Sequence, residues 1–398
     1  MSVSQLVSRI EESITLAITA KAKAMKAKGI DVVGLSAGEP DFDTPDNIKQ
    51  AAIKAIQDGI TKYTPSAGIP ALREAIAEKF KKDNGLSYAP EQIIVGSGAK
   101  HSVLISILAV VDQGDEVIIP APYWVSYPEM VKFAGGRPVI VETTSESEYK
   151  ITAAQLHRAI TPRTKLLILN TPSNPTGMVY TRDETLALIE VLRGRNIYVI
   201  SDEIYEKMLY DGAVHHSIAA LDGEIFQKTI TINGVSKSYS MTGWRIGYAA
   251  GPLDVIKSMN KLQSQEISNP CSISQMAAIE ALRGPQDSVA MMVKAFDERR
   301  RYLVERLNSM DGVSCVKPRG AFYAFPDFSA HYGRKTAGGK TIAGSVDLSN
   351  YLLEEKKVGA VPGAGFGSDA NLRISYATSM AAIQKGLDRI EEGLKELS

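Results

Sequence analysis

From about residue 70 the chain alternates stretches of helical periodicity with short, nearly continuous apolar runs that end in turn residues. The run 93–95 precedes Gly96, Ser97 and Gly98; 116–119 precedes Pro120; 165–169 precedes Asn170; 197–200 precedes Ser201; and 229–232 precedes Asn233. Runs that are apolar on both faces and separated by helices predict a largely parallel sheet covered on both sides, so the fold class is α/β. Ligands bind such sheets at the carboxyl ends of the strands, and the polar residues that follow each run are where chemistry is expected.

The pattern changes near residue 290. A charged helical stretch at 296–307 leads into a strand-like segment at 320–325, a helix near 346–355 and a further strand at 372–376. This predicts a second, smaller α+β unit, with the large domain over 46–290 and the small domain formed by 1–45 together with 291–398. Residues 331–345 are polar and rich in glycine and lysine, which predicts a surface loop. Their Gly338–Thr341 sequence, GGKT, is not a P-loop, because the first glycine of that motif falls on Arg334 and no apolar run leads directly into it. Gly363, Gly365 and Gly367 form GxGxG without the third spacing of a dinucleotide site.

Composition narrows the class. The 398 residues, 44% hydrophobic and 23% charged, suit a soluble globular chain with one large and one smaller domain. Lys plus Arg (45) equals Asp plus Glu (45), so no net field favours nucleic acid or an anionic membrane. The N-terminal stretch has its short apolar segment broken by Glu11 and Glu12, which predicts ordered protein rather than a signal peptide. No apolar run has the length of a membrane span, and a cytoplasmic location is expected. Cys271 and Cys315 show no CxxC or Cys/His spacing, which predicts neither a zinc site nor a disulfide framework and suits a reducing compartment.

Three strand ends carry unusual residues. They are Asn-Thr-Pro-Ser-Asn-Pro-Thr-Gly at 170–177, Ser-Asp-Glu-Ile-Tyr at 201–205, and Asn-Gly-Val-Ser-Lys-Ser-Tyr-Ser-Met-Thr-Gly-Trp-Arg-Ile-Gly at 233–247. Phosphate capture follows from residue type alone: Gly-Ser-Gly-Ala at 96–99, between a strand and a helix, offers backbone N–H groups at a helix N-terminus, with Gly98 and Ala99 as the candidates.

In order and spacing these segments resemble the aspartate-aminotransferase-like (class I/II) aminotransferases of fold type I, from Ser-Ala-Gly-Glu-Pro-Asp-Phe at 36–42 to Leu-Arg-Ile-Ser-Tyr at 372–376. The resemblance implies a large domain on a mostly parallel sheet with a smaller α+β domain, a pyridoxal 5′-phosphate cofactor, and exchange of an amino group between amino and keto acids. A lysine after a strand is, by type, a solvated turn residue. In this context the resemblance makes Lys237 the residue that binds the cofactor as a Schiff base and moves the proton at the substrate, work that requires a neutral amine. It makes Asp202, otherwise a helix cap, the partner of the pyridine nitrogen; a cation opposite an aspartate lowers its pKa and keeps it ionised.

Tyr205 and Asn174 are expected at the cofactor's phenolic oxygen, and Trp124, otherwise a core residue, on its ring. Arg245 and Ser236 join Gly98 and Ala99 at the phosphate. Relatives often carry a serine three residues before the lysine, where this chain has Gly234. Tyr63, by type a surface or core residue, matches the position that reaches the phosphate of a neighbouring subunit and implies a homodimer with shared sites. Arg373 is expected on the substrate α-carboxylate, with Gly38, Trp124 and Asn174 beside the substrate. Lys100, by type a helix-surface residue, would neutralise the distal carboxylate of aspartate. Aspartate and 2-oxoglutarate are the favoured pair; a prephenate or aromatic amino acid aminotransferase, or β-lyase chemistry on the same fold, are alternatives.

Overall fold

The computed structural model describes residues 4, 8, 10, 11 and 14–398. The rest of the N-terminal stretch read as ordered protein, and with it part of the 1–45 segment of the expected small domain, lies outside the described residues.

A seven-stranded sheet organises the larger part of the chain, in the order Ile93–Gly96, Gly247–Ala250, Thr229–Gly234, Tyr198–Asp202, Thr164–Asn170, Glu116–Ala121, Arg137–Glu142. Only Gly247–Ala250 runs against its neighbours; every other pairing is parallel. Ile93, Ile94, Val117, Leu166, Leu167, Val199, Ile200 and Ile230 have no exposed surface, so both faces of the sheet are covered, as parallel strands require. All five predicted runs are strands. The two others differ for physical reasons. Arg137–Glu142 pairs on one side only and is half-exposed, and Gly247–Ala250 is four residues long with a glycine and two alanines around Tyr248, too short and too poor in β-branched residues to signal a strand. A Cβ on Gly247 would lie 2.1 Å from the Ala99 nitrogen, so this glycine lets the start of the helix Ala99–Val110 approach the sheet.

The remaining chain builds a three-stranded antiparallel sheet, Val361–Pro362, Leu372–Ser375 and Tyr323–Ala324, and a short parallel pairing of Val33–Gly34 with Val358–Gly359. Helices Asp287–Asn308, Ser345–Glu354 and Met380–Glu396 cover them. The last is amphipathic: Ile383, Leu387, Ile390 and Leu394 recur at helical spacing on the buried face, and the Ser379 side chain caps its start by accepting from the Ala382 N–H. The 331–345 stretch is less superficial than predicted, because Ile342 and Thr336 are buried and Lys335 bridges Thr341. Among the described residues no helix is long and apolar enough to cross a membrane.

Candidate active site

Because six strands share one direction, the segments that follow 96, 121, 170, 202 and 234 open on one edge of the sheet. There they enclose a cavity of about 340 Å3. Gly38, Ala99, Lys100, Trp124, Asn174, Asp202, Tyr205, Ser236, Lys237, Arg245 and Arg373 all line it. Residues separated by hundreds of positions in sequence thus meet in one place.

Lys237 leaves the strand Thr229–Gly234 and points into the cavity, where its Nζ donates to the Gly38 carbonyl oxygen at 2.5 Å. Burial pulls its pKa down to about 8, with Arg373 and Arg245 acting in the same direction and Glu39 and Asp202 opposing. Asp202, at the end of the adjacent strand, accepts from the Tyr127 hydroxyl at 2.6 Å and from the Ile204 N–H at 3.3 Å. Burial nevertheless pushes its carboxyl up to about 6. The depression expected opposite a cation therefore needs that cation; the protein environment alone acts the other way.

Arg373 is 2% exposed. Its guanidinium donates to Asn174 Oδ1 at 3.0 Å and to the Ser36 carbonyl at 2.8 Å, and it lies 4.5 Å from the ring centre of Tyr323. No carboxylate among the described residues pairs with it, and its Nε is buried without a hydrogen-bond partner. A buried cation with an open donor is a place for an anion. Asn174 is itself held by Asn170, whose Oδ1 accepts its N–H at 2.7 Å while Nδ2 donates to the Asp202 carbonyl at 2.9 Å.

At the other end of the cavity Arg245, in the left-handed region at φ 58, donates to the Thr242 carbonyl at 2.8 Å. It packs so closely on Gly98 (φ 91) that a Cβ there would sit 2.4 Å from the guanidinium. This leaves the first N–H groups of the helix Ala99–Val110 beside a guanidinium, an arrangement suited to phosphate. Gly234 pairs with Gly247, and a Cβ on it would lie 3.0 Å from the Gly247 Cα, so the close strand contact favours glycine at this position.

Residues 30–390 match the family described as Aminotransferase class I and II. The chain belongs to this family. It is 56% identical to an aspartate aminotransferase of Bacillus sp. (strain YM-2), over 98% of each chain. It is 51% identical to an aspartate/prephenate aminotransferase of Cereibacter sphaeroides, over 98% of this chain and 97% of that one. The crystal structure of an aspartate aminotransferase from Rhizobium meliloti superposes with a TM-score of 0.96 at 45% identity over 100% of both chains. The fold is that of the fold type I aminotransferases.

Within this aminotransferase, Trp124 meets Tyr127 edge-on at 5.2 Å, and the Lys100 ammonium stands 5.3 Å from the Trp124 ring at the cavity mouth. Tyr63 does not line the cavity; its side chain is 90% exposed. Four residues that sequence reasoning did not single out also belong here: Tyr127 on Asp202, Tyr323 on Tyr205 through a 2.8 Å hydroxyl pair, Asn170 under Asn174, and Thr15, whose buried hydroxyl has no partner. Tyr127, three residues after Trp124, had only that spacing to recommend it. Behind the site Glu203, Glu206 and His215 cluster, but the Lys79 ammonium is bonded to Glu206, and Ser201 and Ser217 donate to Glu203 at 2.7 and 2.6 Å. That cluster is compensated within the chain.

Proposed function

We propose that this aminotransferase uses pyridoxal 5′-phosphate to move the amino group of L-aspartate to 2-oxoglutarate, giving oxaloacetate and L-glutamate. One observation carries this most: a buried amine with a pKa near 8 and a buried guanidinium without a counterion face the same cavity. The first suits a base that must be neutral at working pH, the second an amino-acid carboxylate.

The cavity fits the cofactor at both ends. The Gly98–Arg245 contact and the start of the helix Ala99–Val110 suit its phosphate, with Ser236 also in the cavity wall, and the buried Asp202 carboxyl, which a cation opposite would keep ionised, suits a ring nitrogen that must keep its proton. When bound, the cofactor supplies an aldehyde carbon that receives the amino group and a ring that stores electrons released at the substrate Cα. Lys237 is the residue that would bind it and then take the Cα proton on Nζ. Asp202 would stay ionised against the ring nitrogen, held in place by the hydrogen bond it accepts from Tyr127. Tyr205 and Asn174 would donate to the phenolic oxygen, and Trp124 would cover the ring. Arg373 would grip the α-carboxylate beside the Gly38 backbone, its plane fixed by the bonds it donates to Asn174 Oδ1 and the Ser36 carbonyl.

Selectivity for a dicarboxylate is assigned to the cavity mouth, where the Lys100 ammonium and the unpartnered Thr15 hydroxyl both line the wall. A second reading, an aspartate/prephenate enzyme, is favoured by the name of the Cereibacter relative. Exposed Tyr63 supports a homodimer in which it reaches the partner's phosphate site, and free Cys271 and Cys315 are in keeping with a cytoplasmic protein. The division into a cofactor domain over 46–290 and a small domain of 1–45 with 291–398 belongs to the same proposal.

The test is a donor panel on the cofactor-loaded enzyme with 2-oxoglutarate as acceptor, comparing kcat/KM for aspartate, arogenate, alanine, tyrosine and kynurenine. A clear preference for aspartate is expected; a preference for arogenate would move the assignment to the second reading. Incubation with aspartate alone separates a β-lyase, because only transamination accumulates pyridoxamine phosphate.

A further inference from the structure

Arg300, in the helix Asp287–Asn308, lies outside the cavity and has no part in the steps above, yet its long side chain is fully buried. Its guanidinium forms a two-pronged pair with Asp211, at 2.9 Å on each side, and donates to the Pro318 carbonyl at 2.7 Å and to Asp297 at 2.9 Å. It also lies 4.8 Å from the ring centre of Tyr210. A guanidinium with no exposed surface carries a desolvation cost that its partly exposed partner Asp211 offsets only in part, so its presence asks for another reason.

The partners supply one. Asp211, in the left-handed region at φ 52, ends the segment that begins at Tyr205, and Pro318 begins the segment that leads to Tyr323. Between the clamp and the cavity the two segments are laced together. Tyr210 N–H donates to the Arg319 carbonyl at 3.0 Å, Ala321 N–H to the Met208 carbonyl at 3.0 Å, and Leu209 bridges Gly320. Arg319 and Gly320 N–H groups both reach the Gly177 carbonyl, at 3.0 and 2.8 Å, which ties in the loop that carries Asn174. The lacing ends at the 2.8 Å pair of Tyr205 and Tyr323 hydroxyls, with the Tyr323 ring against Arg373.

We propose that Arg300 is a positioning residue for the active site: by clamping Asp211 to Pro318 it sets the register of the 205–211 and 318–323 segments, and through it the place of the Tyr205 hydroxyl. This rests on the role given to Tyr205 above. A hydroxyl that donates to the cofactor's phenolic oxygen stabilises its charged form, so displacing that hydroxyl raises the pH midpoint at which the bound cofactor's absorbance changes.

The experiment titrates absorbance in the loaded enzyme for Arg300→Met, Asp211→Asn, Tyr205→Phe and the Arg300→Met/Tyr205→Phe double variant. Tyr205→Phe is expected to raise the midpoint by about one to two pH units, the worth of a hydrogen bond to a charged acceptor. Arg300→Met and Asp211→Asn should shift it the same way, and Arg300→Met should add nothing once the Tyr205 hydroxyl is gone. A wild-type midpoint in both clamp variants, or a fully additive shift in the double variant, overturns the inference while leaving the proposed function standing. Should Arg300→Met fail to fold, Asp211→Asn decides alone, since it alters only the partly exposed partner. A wild-type midpoint in Tyr205→Phe overturns the role of Tyr205 and the inference with it.

Discussion

The Lys237 ammonium and the Gly38 carbonyl oxygen, 199 residues apart in sequence, are joined by a 2.5 Å hydrogen bond inside the cavity. The bond ties the reactive amine to the backbone segment that also offers the Ser36 carbonyl to Arg373. Substrate-side and cofactor-side groups are therefore positioned by one stretch of chain, 36–38, before any ligand enters.

The amine itself should titrate into reactivity. With burial pulling its pKa to about 8, the rate at which the cofactor-free protein takes up pyridoxal phosphate covalently should climb about tenfold per pH unit below that value and level off above it. Stopped-flow absorbance measures this directly. A rate still climbing steeply past pH 10 would mean the amine is not perturbed.

Asp202 gives a stability signature in the cofactor-free protein. Its folded pKa, raised by burial to about 6 from the ordinary 3.8, lets the folded state hold a proton that the unfolded chain has lost. The neutral carboxyl's contribution is thus fully present below about pH 4 and is lost as pH rises to about 6. Relative to Asp202→Asn, wild type should lose about 3 kcal/mol across that window. Urea unfolding at both ends measures it, and parallel pH curves for the two proteins would contradict the assignment. The same variant should bind the cofactor more weakly, because an amide cannot hold the ring-nitrogen proton by charge.

Arg373 should resist conservative replacement. Lysine offers a point charge in place of the planar fork that already serves Asn174 and Ser36, so Arg373→Lys should lower kcat/KM for aspartate about ten- to a hundredfold. Steady-state kinetics with several donors checks this; the loss should fall equally on all of them, because every amino acid presents an α-carboxylate.

Lys100→Ala and Thr15→Val should both differ from Arg373→Lys. Each should reduce kcat/KM for aspartate and glutamate while leaving donors without a distal carboxylate nearly unchanged. Equal loss for all donors would assign both side chains to the fold rather than to specificity.

Much of this was legible in the chain because buried parallel strands are apolar on both faces and end where ligands bind. That logic marked the five runs and the segments 170–177, 201–205 and 233–247 that follow three of them, and the family resemblance then picked out Asn174, Asp202 and Lys237 within those segments. It could not find Gly247–Ala250, where a glycine and two alanines surround Tyr248 and Gly247 admits the close approach of Ala99, nor the half-exposed edge strand Arg137–Glu142. Side-chain pairs were equally hidden. Tyr127 reaches Asp202 across 75 residues and Tyr323 reaches Tyr205 across 118, and no local periodicity records such contacts. Thr15 was missed because a threonine in an N-terminal helix is unremarkable until its hydroxyl is seen buried without a partner.

Two lysines, Lys237 and Lys100, line the cavity, and only one can be the cofactor's attachment point. Reduction of the pyridoxal-phosphate-loaded protein with borohydride, followed by peptide mass spectrometry, separates them. The added mass is expected on Lys237 alone; its appearance on Lys100 or another lysine, or no labelled peptide from a protein that has bound the cofactor, would contradict the proposed function at its centre.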